Sequence, residues 1–381
     1  MKTVGIICEY NPFHNGHLYH LDKVKELYKD HIIVLVMSSS FMQRGEPSII
    51  DKWTKTKIAL ENGIDIIVEL PFPFSTSSAD QFATGSISIL KHLKVEHLLF
   101  GSESGNIDEI NDFIEKNSEI EKHVKGFLDE GLSYPKAMGE SYKKVTGNSF
   151  EKPNDLLAIS YLKAIKDLKA KIKPATIKRS SDYHDNDLNN TVVSASAIRE
   201  GLLNKTNISS FVPASTLLNL HDLHFIDDYF PFLKHQILCN INELDKFNLV
   251  DEGIENKIKR HILTATSFDN LIMKIKSKRY TYSRLRRMLT HIMCGYTKKL
   301  NKKFKKIEYI RVLGFSNRGQ GYLNKIKKEV KLPIVTNYSK LNNSMLSYEM
   351  QITAIYASTL DDCKQIKLVN REYKNNPKNI V

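Results

Sequence analysis

At residues 9–20 the chain reads EYNPFHNGHLYH, with three histidines, one proline and one glycine within twelve positions, directly after the apolar run TVGIIC (3–8). The short apolar run predicts a strand. The following segment carries Leu18, Leu21, Val24 and Leu27 at helical spacing, so the motif spans a strand-to-helix turn. Open α/β sheets bind ligands at such turns, beyond the carboxyl ends of their strands. A helix opening at Gly16 and His17 turns unpaired N–H groups and a positive dipole end towards that place, which suits an anion. His14 and His17 add two ring donors that can hold phosphate oxygens and stabilise charge growing on phosphorus, and Gly16 allows close backbone approach. One rival is a metal site. With no cysteine alongside, its ligands would be His14, His17, His20 and Glu9. A plain polar turn is another.

Outward from the motif, strand and helix signals alternate. HIIVLVMSS (31–39) is a near-continuous apolar run, as a buried parallel strand should be. A helix is predicted around 51–62, then the strand IDIIVEL (64–70), a helix over 78–93, the strand EHLLFGSES (96–104), a helical stretch from 106 to 168 and the strand KPATIKR (173–179). VVSASAIREGLL (192–203) reads as a capped helix start. This order predicts an α/β fold, Rossmann-like, with a parallel sheet and helices on both faces. Beyond about 205 the pattern is mostly helical, with strand signals at 307–315 and 332–338. The expected division is 1–205 for a nucleotide-binding catalytic domain and 206–381 for a basic, mainly helical domain.

Charge divides at the same place. Residues 1–200 carry 25 Lys+Arg against 28 Asp+Glu, residues 201–381 carry 31 against 15, and 257–331 carry 22 against 3. Such asymmetry points to a polyanion partner for the second half. Within it, KIKSKRYTYSRLRRMLTHIM (274–293) interleaves Lys276, Lys278, Arg279, Arg284, Arg286 and Arg287 with Tyr280 and Tyr282. Cations there would neutralise RNA phosphates while tyrosines stack on splayed bases. Leu285 and Leu289, four apart, predict a buried stripe on that helix. The lysine run 298–306 reads equally as an RNA surface or a solvated loop. No apolar window reaches membrane-span length, the N-terminal apolar run is too short for a signal peptide, and four cysteines without CxxC spacing predict a reducing compartment, the cytoplasm.

The motif YNPFHNGH resembles the F-D-P-x-H-x-G-H signature of the HxGH nucleotidyltransferase superfamily, and SASAIR (194–199) resembles its second, Ser-rich signature. Over nearly the whole chain, EYNPFHNGH, MSSSFMQRGEPSIIDKW (37–53), IIVELPFPF (66–74), FGSES (100–104), PNDLLAISYLKA (153–164) and TYSRLRRML (281–289) resemble the bacterial tRNA(Met) cytidine acetate ligase family. Asn11 stands where the wider superfamily favours Asp. The resemblance implies an enzyme that activates acetate with ATP, giving acetyl-AMP and pyrophosphate. The acetyl group then passes to N4 of the wobble cytidine of elongator tRNA(Met). It implies His14 and His17 as catalytic residues. ATP contacts would come from Ile7, Cys8, Glu9, Tyr10, Asn11, Pro12, Phe13, His14, Asn15, Gly16, His17, Leu18, Tyr19 and His20, and from Gly101, Asn154, Arg179 and Ser180. Ser194, Ser196 and Arg199 would meet the β- and γ-phosphates.

Further expectations concern the loop SSSFMQRGEP (38–47), whose Gln43, Arg44 and Glu46 suit an acetate- or tRNA-facing wall. Lys52 and Lys55 are read as phosphate contacts or, more simply, as a solvated helix face, and Trp53 as core. Asp65 and Glu69 are read as strand-end residues. No acidic cluster is dedicated to a metal, so Mg2+ would arrive with ATP. Two other functions share parts of the pattern. A small-molecule adenylyltransferase would use only the first half, and a non-catalytic RNA-binding protein would not need intact His14, Gly16 and His17.

Overall fold

The computed structural model describes residues 1–147, 153–179 and 193–374. Seven strands form one sheet in the order β5-β4-β1-β2-β3-β6-β7. They are β1 (Thr3–Cys8), β2 (Ile32–Ser38), β3 (Ile66–Leu70), β4 (His97–Ser102), β5 (Lys173–Lys178), β6 (Ile310–Phe315) and β7 (Ile334–Val335). The first five run parallel. β2 and β3 are buried along their whole length, which is why both read as unbroken apolar runs rather than alternating ones. From β1 the chain winds outward through β2 and β3, then returns to place β4 on the other side of β1. The crevice between the carboxyl ends of β1 and β4 is therefore the topological switch point, where this architecture takes its ligands.

β6 and β7 come from the basic half and lengthen the same sheet, with β6 antiparallel to β3 and β7 parallel to β6. One hydrophobic core runs from Val4 to Leu368 through both halves. The change in composition near residue 205 thus does not coincide with a break in the sheet.

The helices used below are α1 (Asn15–Leu27), α2 (Lys52–Glu61), α3 (Ala79–His92), α4 (Pro153–Asp167), α5 (Ala195–Leu203), α6 (Phe268–Ile275), α7 (Tyr282–Met293), α8 (Ser344–Ala357) and α9 (Asp362–Lys374). α3 packs so closely on β1 that a Cβ on Gly5 would stand 2.9 Å from Leu90. On α7, Leu285 and Leu289 are buried as their spacing predicts.

α2 corrects a sequence expectation. Lys52 and Lys55 are not a solvated face: both are buried, beside an equally buried Trp53. Lys52 Nζ lies 2.7 Å from Glu69 and 2.5 Å from Glu372, and Arg311 pairs with Glu372 at 3.1 Å. Glu69, next to last in β3 as the strand-end reading has it, lies inside this network. Buried cations survive only with such partners, and here one partner lies on α9, far along the chain. Lys55 Nζ donates to the carbonyls of Ser38 (2.7 Å) and Glu9 (3.1 Å). It ties the ends of β1 and β2 together under the crevice, and burial lowers its pKa to about 7.

Candidate active site at the β1–β4 crevice

The HNGH turn builds its own helix cap. His14 is the N-cap of α1, and its Nδ1 accepts the Gly16 N–H at 3.0 Å, while His17 Nδ1 accepts the His14 N–H at 3.3 Å. The spacing of three residues is what this reciprocal cap requires. The two rings lie 3.9 Å apart, centroid to centroid. Because each Nδ1 accepts a backbone proton, each neutral ring carries its own proton on Nε2. Burial, with Arg179 and Arg199 nearby, pushes His14 down to about 4. Burial, with His14 and Arg179, holds His17 well below the usual range, despite a hydrogen bond to the backbone of Pro12. At neutral pH both are therefore uncharged donors, and the positive charge of the site comes from the arginines and the α1 amino end.

A test follows from this. The His14 ring-proton NMR signal of the free protein should titrate near pH 4; a midpoint at or above 6.5 would remove the neutral-donor assignment. The unfolded chain, titrating near 6.5, binds more protons between 6.5 and 4. Acidification through that window should therefore withdraw stability contributed by His14, with no such change above 6.5.

His20 is half-buried, and its pKa is held low, to about 4, by desolvation and by Arg179, despite a hydrogen bond to the backbone of Leu99 on β4. It fixes α1 against the far wall of the crevice. Tyr10, with a φ of 50°, sits edge-on to Phe13 and His17, each at 4.8 Å. Asn11 shows why an Asp would not serve: its Oδ1 accepts the Ile49 N–H at 2.6 Å while its Nδ2 donates to the Pro47 carbonyl at 3.3 Å. Asn15 donates to Phe211 and Ser210 carbonyls from its backbone and side chain (3.0 and 2.9 Å). Cys8 is partly buried, its thiol pushed up to about 12 by desolvation. Glu9 takes the Gln43 N–H at 2.6 Å.

Across the crevice, Arg179 follows β5 and donates its backbone N–H to Ser102 at 2.8 Å. A Cβ on Gly101 would meet the Arg179 Cγ at 2.9 Å, so this glycine makes room for the arginine as well as for a ligand. Asn154 is held by Glu103, which accepts from its amide at 2.6 Å and from the Asp155 N–H at 2.9 Å, capping α4. Ser194 caps α5 by accepting the Ala197 N–H at 3.2 Å. Arg199 donates to the Asn11 carbonyl (2.8 Å), to Ser196 Oγ (3.3 Å) and to Glu46. Both signature motifs thus meet at one point, with His14 in the field of Arg179 and Arg199. Ser180 lies outside the described residues.

Of the basic stretch, Lys276, Lys278 and Arg279 are exposed and Arg284 partly so. Tyr280 does not offer a free stacking face. It is buried, its hydroxyl bonded to the Asp251 carbonyl and Glu252 (3.1 Å each), with Arg284 lying 4.8 Å over its ring. Tyr282 is bonded to Asp269 and covered by Arg286 at 4.7 Å. Arg286 pairs with Glu46 and with Asp269, and Arg287 donates to the Gln43 carbonyl at 3.2 Å. Gly45, at a φ of +73°, lies so close to α7 that a Cβ would stand 2.5 Å from the Arg287 nitrogen, and Thr290 donates to its carbonyl at 2.8 Å. The loop 38–47 is therefore wedged between the histidine turn and the basic helix. Sequence reasoning singled out Glu46 and Lys55 but not what they bind, and the Ser210 and Phe211 carbonyls that hold Asn15 are site-building groups it did not find. Among the described residues, no group of three or more His, Cys, Asp or Glu could hold a metal ion, and no helix is long and apolar enough to cross a membrane.

Two histidines on a helix cap at a switch point, faced by arginines from two later motifs, define a nucleotidyl transfer site. The family model described as HIGH Nucleotidyl Transferase matches residues 1–371. The chain is 39% identical to the tRNA(Met) cytidine acetate ligase of Geobacillus sp. (strain WCH70), covering 99% of both chains. It is 40% identical to that of Caldicellulosiruptor saccharolyticus, covering 99% of this chain and 98% of the other. The crystal structure of Thermotoga maritima TmcAL bound with alpha-thio ATP superposes with a TM-score of 0.89 at 29% identity, over 99% of each chain. The chain belongs to the tRNA(Met) cytidine acetate ligase family of HIGH nucleotidyl transferases.

Proposed function

We propose that this chain activates acetate with ATP and transfers the acetyl group to N4 of the wobble cytidine, C34, of elongator tRNA(Met). The observation that carries the reading is the pair of neutral, backbone-locked histidines at the switch point, connected through the loop 38–47 to the basic helix α7. A carboxylate oxygen of acetate attacks the α-phosphorus of ATP, the bond to the β-phosphate oxygen breaks, and pyrophosphate leaves. The His14 and His17 Nε2–H groups hydrogen-bond the oxygens on which charge grows, as uncharged donors that need no proton from solvent. Arg179 lies over the crevice on the adenylate side. Arg199 meets the β- and γ-phosphates, held ready by Asn11 and Ser196. The Glu9 carboxylate is taken by Gln43, which fits Mg2+ arriving on the ATP phosphates rather than on a protein cage. In the second step the cytidine amine attacks the acetyl carbonyl, AMP leaves, and the nitrogen loses one proton. The division of labour near residue 205 assigns the chemistry to 1–205 and the grip on tRNA to 206–381, in the cytoplasm where that tRNA is found.

The test is incubation with ATP, radiolabelled acetate and elongator tRNA(Met) transcript. Acetate-dependent label in the RNA, released as N4-acetylcytidine on digestion, is expected; label absent while ATP is hydrolysed would overturn the reading. A companion result concerns the RNA face. Lys276→Gln, Lys278→Gln and Arg279→Gln, the exposed cations, should each weaken tRNA binding and reduce the salt slope of log K by about 1. An unchanged slope would remove this segment from the footprint.

A further inference from the structure

Glu46 stands between the two halves of the reaction. One of its oxygens accepts from Arg199 of the SASAIR motif and the other from Arg286 of α7. All three side chains are largely shielded, at 15%, 17% and 14% exposure, so their charges are only weakly screened. One carboxylate thus serves two guanidiniums. A phosphate arriving at either arginine competes with Glu46 for it and repels the carboxylate towards the other.

We propose that Glu46 is a positioning residue that makes ATP and RNA compete. Triphosphate on Arg199 drives Glu46 onto Arg286 and weakens its hold on an RNA phosphate. Departure of pyrophosphate lets Glu46 return to Arg199, leaving Arg286 with Asp269 as its one acidic partner and open to an RNA phosphate once the acetyl-adenylate exists. The inference rests on the reading above that Arg199 meets the β- and γ-phosphates, and on the expectation from the basic stretch that Arg286 meets the RNA backbone. The loop can carry the shift because Gly45 and Gln43 bind it to α7 while Gln43 binds it to Glu9. The consequence is an order of events: tRNA is gripped most tightly after adenylation, when the acyl donor is ready.

The experiment measures the affinity of labelled elongator tRNA(Met) for the full-length protein saturated with α,β-methylene-ATP or with a sulfamoyl analogue of acetyl-AMP. Binding should be at least about fivefold weaker with the triphosphate, and the triphosphate should in turn bind less tightly when tRNA is present. In Glu46→Gln the difference between the two nucleotides should fall below about twofold. If that variant does not fold by thermal melting, Glu46→Asp, which keeps the charge but is too short to span both arginines, should show a reduced difference. Equal tRNA affinity in the two nucleotide states of the unaltered protein overturns the proposal. So does a full difference persisting in Glu46→Gln, since simple repulsion between triphosphate and RNA would survive that substitution. Arg199→Ala and Arg286→Ala separate the two levels. If Arg199→Ala keeps its triphosphate affinity or Arg286→Ala its nucleotide-free tRNA affinity, the underlying reading fails. If each loses its own ligand and no coupling is found, only the role of Glu46 fails.

Discussion

His14→Asn is expected to leave the fold intact and lower the rate of acetate-dependent ATP–pyrophosphate exchange by about 100- to 1000-fold, the range for loss of one preorganised donor to a developing charge. The prediction separates two duties that one ring performs. As N-cap, His14 accepts the Gly16 N–H, and asparagine is among the best replacements in that position. As a donor, its Nε2–H has no equivalent in asparagine at the same reach. His14→Ala should therefore lose the same chemistry and, in addition, about 1 kcal/mol of stability, read from urea unfolding. His17→Ala should match the catalytic loss. In all three, tRNA affinity should stay within about twofold, because the exposed cations lie on another part of the chain. A parallel collapse of tRNA binding, or exchange at the unaltered rate in His14→Asn, would contradict the assignment.

The second large effect is on stability. Lys52→Met should lower the free energy of unfolding by about 3–5 kcal/mol, the usual cost of stranding buried charge. Removing this ammonium leaves Glu69 without its ion-pair partner and Glu372 with Arg311 and the Thr353 hydroxyl. The third carboxyl of the cluster, Glu349, does not add to the imbalance. Burial and the neighbouring Glu69 push its pKa well above the usual range, towards the neutral form. Adding Glu69→Gln to Lys52→Met should recover part of the loss, because the stranded charge is then gone. A double variant as unstable as the sum of the two single ones would show that the residues act independently.

These two predictions mark what could and could not be read from sequence. The histidine turn, the five parallel strands and the capped SASAIR helix are local features. Their signals lie within a dozen residues, and the periods of the runs declare strand or helix directly. β6 and β7 were visible as strands, but nothing local says that they extend the first sheet antiparallel to β3. The partners of Lys52 and Glu46 were opaque for the same reason. A lysine on a helix looks solvated until its carboxylates arrive from β3 and α9, and Glu46 meets partners 153 and 240 residues away. Tyr280 and Tyr282 read as base-stacking platforms, yet arginines four residues on cover their rings, a helix-neighbour contact that spacing alone does not orient.

The buried Lys52 cluster also bears on how the chain is made. Its partner Thr353 lies 301 residues further on, and Glu372 is later still. A ribosome adding about 5–20 residues per second leaves an interval on the order of tens of seconds between the synthesis of α2 and that of α9. Throughout it the underside of α2 has Glu69 but not Glu372, and the Arg311 guanidinium, once made, waits on the same carboxylate. The charge cluster between α2, β3 and β6 is thus completed late. Nascent chains should pass from protease-sensitive to protease-resistant around α2 only when α9 has emerged, so this side of the sheet sets last although the signature residues of β1 are translated first.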